Sequence, residues 1–326
     1  MYDQYYNLKE MPFRLTPDPK YYFESKGHKC ALAYLRYGLR SGEGFVVITG
    51  EAGTGKTTLA NRLIELVVDE SDILTGRVDT TQIGADDMLR MIAETIGVKT
   101  GRKGKARILV QVEQELVHRA KNGKRTLIII DEAQNLCRES LEEIRMLSNY
   151  SYENSPIIQC FLLGQDELRT RLEAEDMKQL TQRILAAYHF LPLDHDETKE
   201  YIEHRLTLAG WCGKPNFSEA AYVAIREITG GIARNVNTFT DRVLMLGYLS
   251  ESDNIDLDQI NEVAKEWYMQ GRASNGASGD TGSWDKPAGL KNSEQTKLES
   301  RVIELEKKVD GIIESFISQG NKFQKK

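Results

Sequence analysis

"GEAGTGKTT", residues 50–58, is the stretch on which the fold turns. It fits G-x-x-x-x-G-K-[ST] in full through Gly50, Gly55, Lys56 and Thr57. An apolar run, "FVVIT", leads into it, and a helix-like run, "KTTLANRLIELVVDE", leaves it. That is the strand–loop–helix setting a phosphate cradle needs. Glycines let successive backbone N–H groups curl around an anion, and the helix N-terminus adds positive potential. Gly50, Glu51, Ala52, Gly53, Thr54, Gly55, Lys56, Thr57 and Thr58 are therefore the candidate nucleotide-binding loop. Lys56 is expected to reach the outer phosphates, and the Thr57 hydroxyl to bind Mg2+.

Further along, residues 126–136 read "TLIIIDEAQNL". Leu127, Ile128, Ile129 and Ile130 suit a strand buried on both faces of a parallel sheet. The strand runs straight into two acids, Asp131 and Glu132. Taken alone, the acids suit a helix N-cap equally well. The phosphate loop supplies a reason for the pair: Asp131 as a second Mg2+ ligand, and Glu132 to orient or deprotonate the attacking water.

Working outward, strands and helices alternate. "GFVVITG", "ILTGRVDT", "TLIIIDEA", "PIIQCFLLG" and "AAYHFLPL" read as strands. Helical stretches separate them, among them "QDELRTRLEAEDMKQLTQRI". The expectation is a five-stranded parallel αβα sandwich over residues 1–192, preceded by an aromatic, proline-rich segment (1–27). Beyond Pro192 only helical patterns occur, giving an all-α lid over 193–269. Residues 270–296 are rich in Gly, Ser, Asn and Asp and read as a linker. Leu298, Val302, Leu305, Val309, Ile312 and Phe316 form a heptad seam, so 297–319 is expected as a short coiled coil.

The chain has 326 residues, 40% hydrophobic, with a net charge of −6, which argues against a non-specific nucleic-acid coat. Cys30, Cys137, Cys160 and Cys212 lack C-x-x-C spacing, so they read as small core residues rather than zinc ligands. His189, His195 and His204 show no ligand spacing either. No stretch reaches the roughly 18 apolar residues of a membrane span. A cytoplasmic protein is expected, peripheral at an inner membrane through a partner at most. The run "KTGRKGKAR" (99–107) reads as a solvated loop, with nucleic-acid contact as the sharper, less favoured alternative.

The phosphate loop, "IIIDEAQNL", the all-α lid and "GGIARNVN" together resemble an AAA+ ATPase, a P-loop NTPase. The entry "YYNLKEMPFRLTPDPKYYF" with "GHKCALAYLRYGL", continued by "LEEIRMLSNY" and "FLLGQDEL", resembles the ExeA-type (general secretion pathway protein A) family over roughly 1–268. Within it, the chain looks most like the secretion ATPases found with exosortase and exopolysaccharide export loci. The resemblance implies ATP and Mg2+ as ligands, ATP hydrolysis, and a homo-oligomer, a ring or filament of hexamer type. It implies a role in assembling or regulating an envelope export system. The runner-up is a DNA-associated regulator of the transposition target-selector type. The AAA+ resemblance also implies Gln165 at the sensor-1 position, where many relatives carry Asn, and Arg234 at sensor 2 on the lid. Arg183 falls where an arginine finger would reach a neighbouring subunit's ATP, with Arg169 and Arg171 as competitors. Pro12, Phe13 and His28 are implied near the adenine, with plain aromatic packing as the alternative.

Overall fold

The computed structural model describes residues 1–274 apart from 15, 17, 69–71 and 81–83. The last helix runs to Ser274, so residues 270–274 of the expected linker are helical; the rest of the linker and the heptad segment lie outside the described residues. One compact unit spans Met1–Gln270.

Five parallel strands form the sheet: β1 (Phe45–Gly50), β2 (Ile73–Asp79), β3 (Arg125–Asp131), β4 (Ile158–Gly164) and β5 (Ile184–Phe190). Their order is β2-β3-β4-β1-β5. The strands are continuous apolar runs because both faces are covered. Ile128 and Ile130 enter one core, with Val47, Cys160 and Leu162. Leu127 and Ile129 enter the other, with Val46, Ile48 and Phe161. Helices α1 (Lys26–Ser41) and α2 (Lys56–Val68) cover the second face. Helices α3 (Ala85–Thr95), α4 (Lys105–Lys121) and α5 (Arg138–Leu147) cover the first. The register aligns Asp79 with Asp131, and Thr49 with Gly164. The carboxyl ends of these strands thus share one sheet edge, where open α/β sheets bind ligands.

The stretch 165–184 is not one helix. It breaks into α6 (Asp166–Leu172), a 3-10 turn at Glu175–Met177 and a single helical turn at Lys178–Thr181. The Thr181 hydroxyl donates to the carbonyls of Leu172 and Met177, 2.8 and 3.1 Å away. The break lets Met177 and Leu180 turn back into the core. Among the cysteines only Cys160 is buried; Cys30 and Cys212 are exposed, against the expectation of four core residues.

The lid consists of α7 (His195–Leu208), α8 (Glu219–Thr229), α9 (Ala233–Leu249) and α10 (Leu257–Ser274). Helix α7 starts on a capping box in which Asp194 accepts from the Glu197 N–H and Glu197 reaches back. The aromatic N-terminal segment packs here: Tyr2, Tyr6, Leu8 and Phe13 sit in the same core as Ile202, Leu206, Phe239 and Val243. Burial of each such ring contributes roughly 1.5–3 kcal/mol. Arg205 of α7 fastens the segment. Its Nε donates to the Pro12 carbonyl at 2.7 Å, and its guanidinium lies over the rings of Tyr21, Tyr201 and Phe13. Ring faces hold this buried charge where no carboxylate is bonded to it.

Helix α1 carries two tight points. A Cβ on Gly38 would lie 2.2 Å from Val46 Cγ2 and 3.4 Å from the Phe161 ring, so the helix meets the sheet at van der Waals range. Ser25 caps the helix by accepting from the His28 N–H. The buried His28 ring packs edge-on against Phe190, and burial pushes its pKa down to about 4. Gly38→Ala is expected to lower stability by about 1–2 kcal/mol: overpacking costs about 1–3 kcal/mol and exceeds the helix-propensity gain of up to about 1 kcal/mol. Thermal unfolding checks this. Neutral His28 favours the fold while the unfolded state is also neutral. As pH falls from about 6.5 toward 4, the unfolded chain takes a proton that the folded one refuses. That is expected to cost up to about 3 kcal/mol over this window, a loss that a denaturant titration of His28→Gln should lack.

Candidate functional site

Strand β1 ends at Gly50 and α2 begins at Lys56, so the loop 51–55 caps the sheet edge with the N-terminus of α2. Gly53 and Gly55 have φ of 88° and 108°, values side-chain-bearing residues rarely adopt. Close approach adds a second constraint. A Cβ on Gly55 would lie 2.8 Å from His28 Nε2, and one on Gly53 would lie 2.7 Å from Arg234 Cβ. The Lys56 side chain is buried and its ammonium donates to the carbonyls of Gly50 and Glu51 at 2.7 and 2.8 Å. Burial pulls its pKa below the ordinary value, opposed by the carboxylates of Glu132, Asp131 and Asp166.

Asp131 closes β3 at 2% exposure. The Thr57 hydroxyl donates to its Oδ2 at 2.6 Å, and the Glu132 N–H to its Oδ1 at 2.9 Å. A hydroxyl and a carboxylate oxygen side by side are hard donors of the kind Mg2+ takes, so the two residues fit that ion. Among the described residues no group of three or more His, Cys, Asp or Glu side chains could hold a metal ion.

Glu132 has φ of 55°, a left-handed conformation that breaks the strand and turns its side chain away from the Asp131 path. Its Oε2 accepts from Gln134 Nε2 at 2.6 Å and from Gln165 Nε2 at 3.2 Å. Burial opposes its ionisation. The two amide donors and the charges of Lys56 and Arg234 outweigh burial, so its pKa is lowered and the group is a carboxylate near neutrality. Gln134 also accepts from the Gln165 N–H at 2.9 Å, locking the two loops together.

Loop 52–58, Glu132, Gln165 and Arg234 all line one cleft of about 640 Å³, within the range of nucleotide-sized pockets. The lid meets the loop directly, the Arg234 N–H donating to the Gly53 carbonyl at 3.2 Å. Tyr21, Tyr22, Phe23, His28 and Tyr201 form the aromatic part of the lining. Pro12 and Phe13 are not part of it, because Phe13 is absorbed into the lid core and the Pro12 carbonyl is taken by Arg205. Tyr22, Phe23 and Tyr201 were not distinguished in the sequence, where their aromatic rings look like any packing residue.

Arg183 lies elsewhere. It precedes Ile184, which pairs with Phe45 at the start of β1, whereas Phe190 pairs with Gly50 at its end. A strand of this length puts Arg183 about 20 Å from its own phosphate loop. It is exposed, and its Nη1 donates to Ser148 Oγ at 3.0 Å. Arg169 is paired with Glu173 and Arg171 with the Leu136 carbonyl. In the basic run, Lys105 is paired with Glu143 while Lys99, Arg102 and Arg107 are exposed. His189 lies 3.0 Å from Thr49 Oγ1, and His204 lies 3.1 Å from the Tyr22 carbonyl, both packing positions.

A family model described as an AAA domain matches residues 39–172. General secretion pathway protein A of Aeromonas hydrophila is 36% identical over 267 residues, covering 82% of this chain and 48% of that protein. The chain thus spans about half the length of this relative. Among solved structures, Cdc6p from Pyrobaculum aerophilum aligns with a TM-score of 0.58 at 19% identity, over 81% of this chain and 70% of that one. The Aeropyrum pernix ORC1 protein, solved in complex with DNA, also gives 0.58, at 16% identity over 82% and 71%. These two likenesses concern the fold. Together with the β2-β3-β4-β1-β5 order and the phosphate loop, the shared sequence makes the chain a member of the AAA+ P-loop NTPases of the ExeA-type, general secretion pathway protein A, family.

Proposed function

We propose that the chain binds ATP with Mg2+ in the cleft and hydrolyses it, as one subunit of a homo-oligomer serving an envelope secretion or exopolysaccharide export system. The observation that carries this reading is the convergence of Thr57, Asp131 and Glu132 at one sheet edge, with Glu132 ionised and aimed by two glutamines. The backbone N–H groups of residues 51–58 and the Lys56 ammonium hold the phosphates. Thr57 and Asp131 would hold Mg2+, which would supply positive charge beside the outer phosphates. Glu132 accepts the proton of the attacking water, with Gln165 fixing the carboxylate's orientation. Arg234 brings a lid charge to the same cleft, so nucleotide and lid position are coupled.

The export role is supported by the secretion protein to which the chain is similar. Among the described residues no helix is long and apolar enough to cross a membrane. The alternative, a DNA-associated regulator, draws on the exposed cations Lys99, Arg102 and Arg107.

Glu132→Gln is expected to bind ATP with near-normal affinity and to lose at least about a hundredfold in turnover, as loss of a general base does. Nucleotide titration beside a steady-state phosphate-release assay measures both; equal turnover in the two proteins would remove Glu132 from the mechanism. Arg183, about 20 Å from its own loop, can serve only a neighbour's site. Activity should therefore rise steeply with protein concentration. A mixture of inactive Arg183→Ala and inactive Lys56→Ala subunits should regain measurable turnover, and a mixture as dead as its components would argue against a shared site.

A further inference from the structure

Asp131 is a buried carboxylate, and such a charge needs a partner. Lys56 is not bonded to it, being spent on the carbonyls of its own loop. The cation that reaches Asp131 is Arg77 of β2: its Nη2 lies 3.2 Å from Oδ2, the same oxygen that accepts from Thr57. Arg77 is not there by chance of a mobile side chain. Its Nε and Nη2 both bond Asp79, at 2.8 and 2.6 Å, and its Nη1 donates to Asn61 Oδ1 at 2.6 Å. Asn61 belongs to α2, the helix that follows the phosphate loop. The guanidinium is thus braced by Asp79 of its own strand and by the phosphate-loop helix, one nitrogen turned to the Mg2+-site carboxylate.

We propose that Arg77 is a positioning residue that acts as a resident counter-ion for Asp131, sharing its Oδ2 with the divalent cation and thereby lowering the dependence of nucleotide binding on that cation. The inference rests on the reading that Thr57 and Asp131 hold Mg2+ beside bound nucleotide. With Arg77 in place, part of the charge of Asp131 is offset before a metal arrives, although Asp79 shares the same guanidinium, so metal-free nucleotide meets less repulsion from the acids. A metal that does bind acquires a positive neighbour on the shared oxygen and is held less tightly. Both effects follow from the charge. The fork geometry only fixes where the charge sits.

The test is a titration with fluorescent ADP, once with Mg2+ and once with EDTA, on wild type, Arg77→Gln and Arg77→Lys. Arg77 is partly exposed, its side chain at 24%, and belongs to neither hydrophobic core of the sheet, so a neutral replacement leaves both cores untouched; Arg77→Met is a second neutral variant. The ratio of the EDTA to the Mg2+ dissociation constant is expected to rise by about tenfold or more in the neutral variants, the scale of one partly screened unit charge a few ångströms away. Arg77→Lys keeps the charge and should stay within about threefold of wild type. An unchanged ratio in Arg77→Gln and Arg77→Met overturns the proposal. So does an equal rise in Arg77→Lys, which would assign Arg77 a purely structural bracing role. If wild type itself binds ADP without any effect of Mg2+, or not at all, the Mg2+–nucleotide reading fails first, a result distinct from either.

Discussion

The hydrogen bond from Thr57 to Asp131 is the constraint on which the rest of the molecule turns. Thr57 follows β1 and Asp131 ends β3, and β4 lies between those strands. Two strand spacings, about 10 Å, must be bridged at the sheet edge. The end of β4 leaves room for it: at Gly164 a Cβ would lie 2.7 Å from Leu168 Cδ2 and 3.1 Å from the Gln134 Oε1. The absent side chain admits the Gln134 amide, which in turn holds Glu132 and Gln165. Parallel strands, a glycine at the right strand end and a left-handed Glu132 are thus parts of one arrangement that gathers three loops above the sheet.

A second set of contacts ties that arrangement to the lid. Residues 2–13 are far in sequence from α7–α10 yet share their core, and Arg205 holds the Pro12 carbonyl. The same helical unit presents Arg234 to Gly53. The phosphate loop therefore meets the lid at Gly53, through that backbone bond and the close approach of the Ile232 and Arg234 side chains, and the N-terminal segment is part of the same lid core.

Much of this was legible in the sequence because it is locally encoded. Spacing alone identifies Gly50, Gly55, Lys56 and Thr57, and the abrupt passage from Ile130 to Asp131 marks a strand end. The four-helix lid and the five strands follow from period and length. What stayed hidden depends on pairing between distant segments. Nothing near Arg77 announces that β2 lies beside β3 in a register that brings it to Asp131. Gln134 acquires its role only because Glu132 is left-handed, and no flanking residue signals that. His28 meets Gly55 while Pro12 and Phe13 do not line the cleft, a distinction set by the lid core. The broken helix after Leu172 was masked by good helix formers, and a threonine capturing two carbonyls outweighed their propensity.

The account stands on the claim that Thr57, Asp131 and Glu132 form one Mg2+–ATP site. A crystal structure with Mg2+ and a non-hydrolysable ATP analogue tests it most directly. The account predicts the phosphates inside loop 50–58, a cation between Thr57 Oγ1 and Asp131 Oδ2 on one side and the phosphates on the other, and Glu132 facing the terminal phosphate. Nucleotide bound away from that loop, or a cation held without Asp131, would contradict it.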